Sequence, residues 1–334
     1  MSDATLTRSA FARAGLIGNP SDGYFGKTIA FTFSDFKATV SLTPSDRLLI
    51  AHDMSDKNEY ESFQDLIDDV NLAGYYGGVR LIKATLKRFY QFVLERNGVA
   101  LDGNVSVSFT SDIPMRVGLA GSSAIIISLL RALLDHYRVD IPLPEAATLA
   151  LKVETDELGI PAGLQDRVVQ TYQGIVYMDF NRERMNDFGY GNYERLTPAV
   201  LPPFYIAYCK RIGEGTEVTH SDLRRRFNDG DRLVRSRMKK LAENTDRFRD
   251  ALDAGDLSLM NELIDMNFDI RTELVPIAPV YRNLVNIARN CGASAKFTGS
   301  GGAIIGIADD AAFHALENAL DSRQFGLLRP TIAF

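Results

Sequence analysis

The sequence predicts an α+β fold. Strand-like and helix-like segments are mixed along the chain without the regular alternation of a doubly wound sheet. Glycine-rich turns stand at three separated joints between such segments. The 334 residues, 46% of them hydrophobic, suffice for a substantial core and two domains or subdomains.

Residues 11–17 read as a strand of small residues running into the turn-rich stretch 18–23. Residues 28–42 alternate as an antiparallel pair or one long bent strand, and 47–51 as a short strand. Helices are expected over 59–71 and 79–95. In the second, Leu81, Ile82, Leu86, Phe89, Phe92 and Val93 recur at helical spacing. A strand over 104–109 alternates Val105, Val107 and Phe109. An apolar helix follows over 124–137, then helices over 144–158 and 164–172, the first opening on Pro144, which suits an initial turn. Residues 174–180 read as a strand. The polar stretch 181–197 is the expected loop between subdomains, so the domains are expected at 1–195 and 196–334. The second half opens with a strand over 204–209. Leu233, Val234, Met238, Leu241, Phe248 and Leu252 then mark one face of a long amphipathic helix. Helices over 257–271 and 280–290, short strands over 295–297 and 303–307, a helix from Asp310 and a strand over 328–333 complete the chain.

The net charge of −6 argues against a nucleic-acid-binding protein, which would show a basic balance or face. Two cysteines, Cys209 in an apolar run and Cys291 at a helix end, make no disulfide framework and read as structural thiols in a reducing compartment. The polar start lacks a signal-peptide core, and the most apolar stretch, 124–134, falls short of a membrane span. A cytoplasmic protein without nucleic-acid or membrane partners is expected.

The most informative stretch is Ile113-Pro114-Met115-Arg116-Val117-Gly118-Leu119-Ala120-Gly121-Ser122-Ser123-Ala124. Gly118 and Gly121 allow a tight bend and close approach of a ligand. The free N–H groups and dipole of the helix start favour an anion. Ser122 and Ser123 add two hydroxyls, which suit phosphates and a Mg²⁺ ion. A plain strand–turn–helix joint with serine caps is the competing reading.

Three more stretches carry charge beside glycine. In Ala12-Arg13-Ala14-Gly15-Leu16-Ile17-Gly18-Asn19-Pro20-Ser21-Asp22, Arg13 interrupts small and apolar residues. A partly buried cation needs an anionic partner, either a structural carboxylate or a reaction centre. Lys296-Phe297-Thr298-Gly299-Ser300-Gly301-Gly302-Ala303 reads as a glycine-rich hairpin turn. Between Glu154 and Asp166, Gly159, Pro161 and Gly163 break the helix. Asp166 then falls in the first turn of the next helix, as a capping carboxylate or as an acid that orients a hydroxyl proton. No P-loop or GxGxxG is present.

Together these four stretches resemble the GHMP kinases, the superfamily of galactokinase, homoserine kinase and mevalonate kinase. The likeness runs from Arg13 to Gly302 with all three family motifs in order. Within the superfamily, residues 18–28, 74–81 and 163–170 are most similar to the glucuronokinases. The resemblance implies a two-lobed fold, with a ribosomal protein S5 domain 2-like N-terminal lobe and a ferredoxin-like C-terminal lobe. Residues 1–195 would carry the ATP-phosphate loop and catalytic acid, and 196–334 the third motif. It implies ATP and Mg²⁺ as cofactors and transfer of the γ-phosphoryl group to the anomeric hydroxyl of a sugar acid, D-glucuronate.

The resemblance also implies roles. Gly118, Leu119, Ala120, Gly121, Ser122, Ser123 and Ala124 would hold the ATP phosphates, closed over by Gly299, Ser300 and Gly301. Ser123 and Glu154 would hold Mg²⁺. Asp166 would accept or orient the proton of the attacking hydroxyl, with Arg13 beside it keeping it ionised. Tyr75 and Tyr76 line the adenine pocket or are plain rim tyrosines. Asn19, Ser21, Asp22, Tyr24, Arg116 and Gly163 are the substrate-binding candidates.

Three departures stand out. Asn19-Pro20 replaces the Glu-His of galactokinases. The second motif is one residue longer than the common form, leaving open whether Ser122 or Ser123 meets the metal. Ala303 replaces a common glycine. For a uronate carboxylate the flanking cations Lys27, Arg80, Arg116 and Arg167 are candidates, each also readable as a solvated surface charge, and the basic run from Arg224-Arg225-Arg226 to Lys239-Lys240 reads as a solvated face. Kinases for galactose, fucose or a heptose phosphate, a non-catalytic sugar and nucleotide sensor, and an ATP-dependent decarboxylase are the rival readings. The presence of Arg13, Ser123, Glu154 and Asp166 disfavours the sensor.

Overall fold

The computed structural model describes residues 4–51, 59–75, 79–210 and 218–334. The chain divides into two compact units. The first comprises Met1–Phe11, Phe36–Ile113 and Gly121–Thr171, and the second Ala12–Asp35, Pro114–Ala120 and Tyr172–Phe334. Two long strands contribute to both: β1 (Leu6–Ile17) and β2 (Lys27–Ser45). β2 is one 19-residue strand rather than a hairpin.

In the first unit the Ala38–Ser45 end of β2 pairs antiparallel with β5 (Asn104–Ser111). β5 runs parallel to β3 (Leu48–Ile50), and β3 pairs antiparallel with β4 (Glu59–Tyr60). Ala38, Val40 and Leu42 are buried, the period-two pattern of a half-buried strand. β4 occupies the start of an expected helix. α1 (Phe63–Ala73) begins only after Ser62, whose side chain accepts from Asp65 N and caps it. α2 (Arg80–Asn97), α3 (Gly121–His136) and α4 (Leu143–Lys152) pack together through apolar faces, Ile126, Leu129, Leu130 and Leu133 of α3 among them. The helix expected over 144–158 is interrupted, because residues Val153–Glu157 form a π turn that leads to Gly159. α5 (Leu164–Tyr172) follows at its expected bounds.

In the second unit the Lys27–Phe31 end of β2 pairs antiparallel with β6 (Ile175–Asp179), which pairs with β7 (Asn192–Leu196). The stretch 181–197 is therefore not a loop. It holds α6 (Arg182–Phe188) and β7, and Asn181 caps the helix by accepting from Glu183 N and Arg184 N. α6 buries no residue, so it lacks the apolar stripe by which a helix is recognised in sequence. A second, antiparallel sheet joins β8 (Phe204–Cys209), β9 (Lys296–Phe297), β10 (Ala303–Ile307) and β11 (Phe325–Leu328) in the order β11-β8-β10-β9. Its core of Tyr205, Ala207, Phe297 and Ile304 is filled by Phe268 of α9 (Leu257–Leu274), Leu284 and Val285 of α10 (Pro279–Asn290) and Leu316 of α11 (Asp310–Ala319). α7 (Val218–Asn228), which the sequence reading lacks, precedes α8 (Arg232–Ala254). Their buried side chains Leu223, Phe227, Val234, Met238 and Leu241 form a separate cluster with Tyr24. Cys209 is buried in β8, Cys291 ends α10, and both are free thiols.

Candidate active site

In the first unit α3 starts at Gly121, three residues before its expected start at Ala124, so Ser122 and Ser123 occupy its first turn. A helix places neighbouring side chains about 100° apart, so the two serines face different surroundings. Ser122 Oγ donates to Glu154 Oε1 at 2.8 Å. Ser123 has no exposed surface, and its Oγ donates to Gln170 Oε1 at 2.6 Å. Ser122, not Ser123, is thus the serine set on the candidate metal carboxylate. The π turn sends Glu154 inward, where it is 2% exposed.

Glu154 forms an ion pair with Arg167, which also lies 3.6 Å from Asp166 and donates to Gly163 O. Arg167 is therefore committed to Glu154 and Asp166, which removes it from the candidates for a uronate carboxylate. Asp166 sits in the first turn of α5 with a fifth of its side chain exposed. Glu154 Oε2, the oxygen that pairs with Arg167, is buried. A carboxylate and a hydroxyl 2.8 Å apart make a hard oxygen pair. Mg²⁺ takes one or two carboxylates and completes its shell with phosphate and water, so these residues fit that ion.

Tyr75 donates to Glu157 Oε2 at 2.8 Å, and Lys87 pairs with the same carboxylate at 2.9 Å. Burial and Glu157 both raise the Tyr75 pKa. Tyr76 lies outside the described residues. Arg80, at the start of α2, is exposed.

In the second unit all three glycine-rich motifs converge. Arg13 Nη1 donates to Gly118 O at 2.6 Å and to Thr298 O at 3.1 Å. Thr298 Oγ1 donates to Gly118 O. A Cβ on Gly299 would lie 2.9 Å from both Arg13 Nη2 and Gly118 O, and one on Gly118 would lie 3.0 Å from Gly301 O. Only glycine permits this approach. Arg116, Gly118 and Ala120 all have positive φ, so the loop alternates in hand. Such alternation turns backbone N–H groups toward one concavity, a nest that suits phosphate oxygens. Arg116 is exposed beside it.

Two buried cations to which the sequence assigns no role support the third motif. Arg271 donates to Gly299 O and Ser300 O, both at 3.0 Å, and lies over the Phe297 ring. Burial pushes its pKa down to about 10, opposed by the Asp22 charge. Lys296 Nζ donates to Gly15 O, Asn19 Oδ1 and Phe297 O. Burial, then Arg271 and Arg13, push its pKa well below the usual lysine range. A sequence signal for Arg271 existed. Asn267 and Arg271 stand among the buried apolar positions Leu263, Ile264, Phe268 and Leu274 of α9, where unpartnered polar groups would be costly.

The substrate candidates separate by exposure. Asn19 is 4% exposed, bound by Lys296, and its carbonyl accepts from Asn267 Nδ2. Ser21 is fully buried, its hydroxyl donating to Lys27 O and accepting from Lys27 N. Both shape the turn that carries Asp22, which is partly exposed. Tyr24 packs edge-on against Phe227 at 5.0 Å. Lys27 is tied to Asp246 at 2.8 Å. Burial lowers its pKa, but the bonds to Asp246 and Tyr177 outweigh that and raise it. Arg13 and Asp166 fall in different units, so the charge relation expected between them belongs to the proposed mechanism.

The model of the GHMP kinases N terminal domain matches residues 80–174, and that of the GHMP kinases C terminal domain matches 248–326. A probable glucuronokinase 2 of Arabidopsis thaliana is 43% identical over 304 residues, covering 89% of this chain and 82% of that protein. The chain belongs to the GHMP kinases. Glucuronokinase 1 of the same plant is 40% identical, over 90% of this chain and 84% of its own. Two solved GHMP kinases share the fold. Methanococcus jannaschii mevalonate kinase superposes with a TM-score of 0.74 at 17% identity, covering 100% of both chains. Lactococcus lactis galactokinase complexed with galactose gives 0.76 at 15% identity, covering 98% of this chain and 93% of that one. GHMP kinases use ATP as phosphoryl donor. No helix among the described residues is long and apolar enough to cross a membrane.

Proposed function

We propose that this GHMP kinase transfers the γ-phosphoryl group of ATP to the anomeric hydroxyl of D-glucuronate, giving D-glucuronate 1-phosphate and ADP. The Ser122–Glu154 pair at the start of α3 supports the kinase part of the reading, because it sets two hard oxygens 2.8 Å apart at a helix N-terminus, as a Mg²⁺ site would need. The two plant glucuronokinases at 40 and 43% identity support the choice of acceptor.

Phosphoryl transfer asks mainly for positioning and charge neutralisation. The 114–120 loop and the Gly299–Gly302 turn hold phosphate oxygens through backbone N–H groups. Ser122 and Glu154 would hold Mg²⁺, which would supply charge neutralisation to the phosphates. Asp166 accepts the proton as the anomeric oxygen bonds to the γ-phosphorus and the bond to the β-phosphate breaks. Arg167 orients Asp166 from 3.6 Å, and Arg13 stabilises charge on the transferred group. Asp22 takes a sugar hydroxyl. The division into an N-terminal catalytic domain over 1–195 and a C-terminal domain over 196–334 is part of this proposal. So is a cytoplasmic location, which the free thiols of Cys209 and Cys291 fit.

ADP release measured against D-glucuronate, galactose, fucose and a heptose phosphate tests the reading. Preference for D-glucuronate supports it. Preference for another acceptor, or sugar and nucleotide binding without turnover, contradicts it.

A further inference from the structure

The basic run on α7 is not a uniform solvated face. Arg225 pairs with Asp222 at 2.6 Å. Arg226 pairs with Asp231 at 2.9 Å and donates to Leu274 O. Arg224 has no carboxylate partner among the described residues. Its guanidinium lies 4.7 Å from the centre of the Tyr24 ring. Its Nη2 is 3.1 Å from where a Cβ would stand on Gly23, the residue after Asp22.

We infer that Arg224 binds the carboxylate of the substrate and so selects an acidic sugar over a neutral one, an inference that rests on the proposed sugar-acid kinase reading. The Tyr24 ring is a fixed platform, 7% exposed and wedged against Phe227, which follows Arg224 by one turn of the same helix. Stacking uses the face of a guanidinium and leaves its in-plane N–H groups for a bidentate carboxylate. Tyr24 and Phe227 also border a cavity of about 510 Å³ that carries Arg182, Arg235 and Lys239 and no acidic residue among those described. The wall of that neighbouring cavity is therefore positive, and the negative charge near Arg224 is Asp22.

Of the other cations of this unit, Arg116 is exposed beside the phosphate loop, and four near the Asp22 stretch are committed elsewhere. Lys27 is tied to Asp246. Arg13, Arg271 and Lys296 are committed to main-chain carbonyls and Asn19. Arg224 alone of these combines exposure with contact to the stretch holding Asp22.

The test compares D-glucuronate with D-glucuronamide, which keeps the ring and replaces the carboxylate by a neutral amide. Turnover and calorimetric binding are measured on the full chain and on Arg224→Gln and Arg224→Lys. The wild-type protein should prefer the uronate. In Arg224→Gln that preference should fall by about 10-fold or more through KM and Kd for the uronate. Arg224→Lys should recover part of it, and KM for ATP should stay put. An unchanged preference in a folded Arg224→Gln variant overturns the inference and leaves the kinase reading standing. Absence of uronate turnover in the wild-type protein overturns the kinase reading, and the binding arm still decides on Arg224. Absence of uronate binding overturns both.

Discussion

Ser122 donates to Glu154 across 2.8 Å, while the neighbouring Ser123 turns away and donates to Gln170. The lengthened second motif therefore assigns its two serines to different tasks. Ser122→Ala should raise the Mg²⁺ concentration for half-maximal activity by about 10-fold or more. Ser123→Ala should leave the Mg²⁺ dependence alone and cost about 1–2 kcal/mol in urea unfolding, the scale of one buried hydrogen bond. The opposite pattern in a Mg²⁺ titration would move the metal to Ser123.

The contact of Gly118 with the third motif gives a second expectation. Gly118 and Gly255 both have positive φ, 75° and 71°. A Cβ on Gly255 meets nothing within 4 Å, whereas one on Gly118 meets Gly301 O at 3.0 Å. Either change to alanine costs about 1–2 kcal/mol in backbone strain. Only Gly118→Ala should also raise KM for ATP, by about 10-fold or more, because it pushes the two phosphate loops apart. Equal ATP kinetics in the two variants would show that the loops do not act together.

Lys296 links stability to pH. Its pKa in the folded chain lies well below its ordinary value of 10.5. Between the two values the unfolded chain holds a proton that the folded chain has given up. Wild-type stability should therefore fall as pH drops below the ordinary lysine range, at most by about 1.4 kcal/mol per pH unit. Lys296→Met lacks this linkage, so its Tm relative to wild type should climb as pH falls. A difference independent of pH would mean that the three oxygens around Nζ hold the ammonium form throughout.

Much of this was legible in the sequence. The strands over 204–209 and 303–307 and the helix over 164–172 fall where apolar runs and alternation place them. The order of the four charged, glycine-bearing stretches identified the family. α6 was not legible, because a helix that buries no side chain has no periodic signature. The π turn at Glu154 was not legible either, since one extra residue per turn leaves no mark in composition, yet it turns that carboxylate inward. The sequence leaves Arg167 a candidate for the uronate carboxylate because it does not show the partners that the fold gives it. Its ion pair with Glu154, thirteen positions earlier in the chain, comes from tertiary packing. Arg224 was read as solvated because neighbouring positions on α7 are charged, and only the fold brings Tyr24 beneath it.

Asp166 is the proposed acceptor of the hydroxyl proton. Asp166→Asn should lower kcat by about 100-fold or more while Tm and nucleotide binding persist. Near-normal turnover in that variant would remove Asp166 from the chemistry.

The most direct test of the central claim is the ³¹P NMR spectrum of the reaction of the purified protein with ATP, Mg²⁺ and D-glucuronate. A phosphate resonance coupled to the anomeric proton is expected, appearing in step with ADP and with loss of the reducing end. Phosphate on another hydroxyl, or ADP formed without a sugar phosphate, would contradict it.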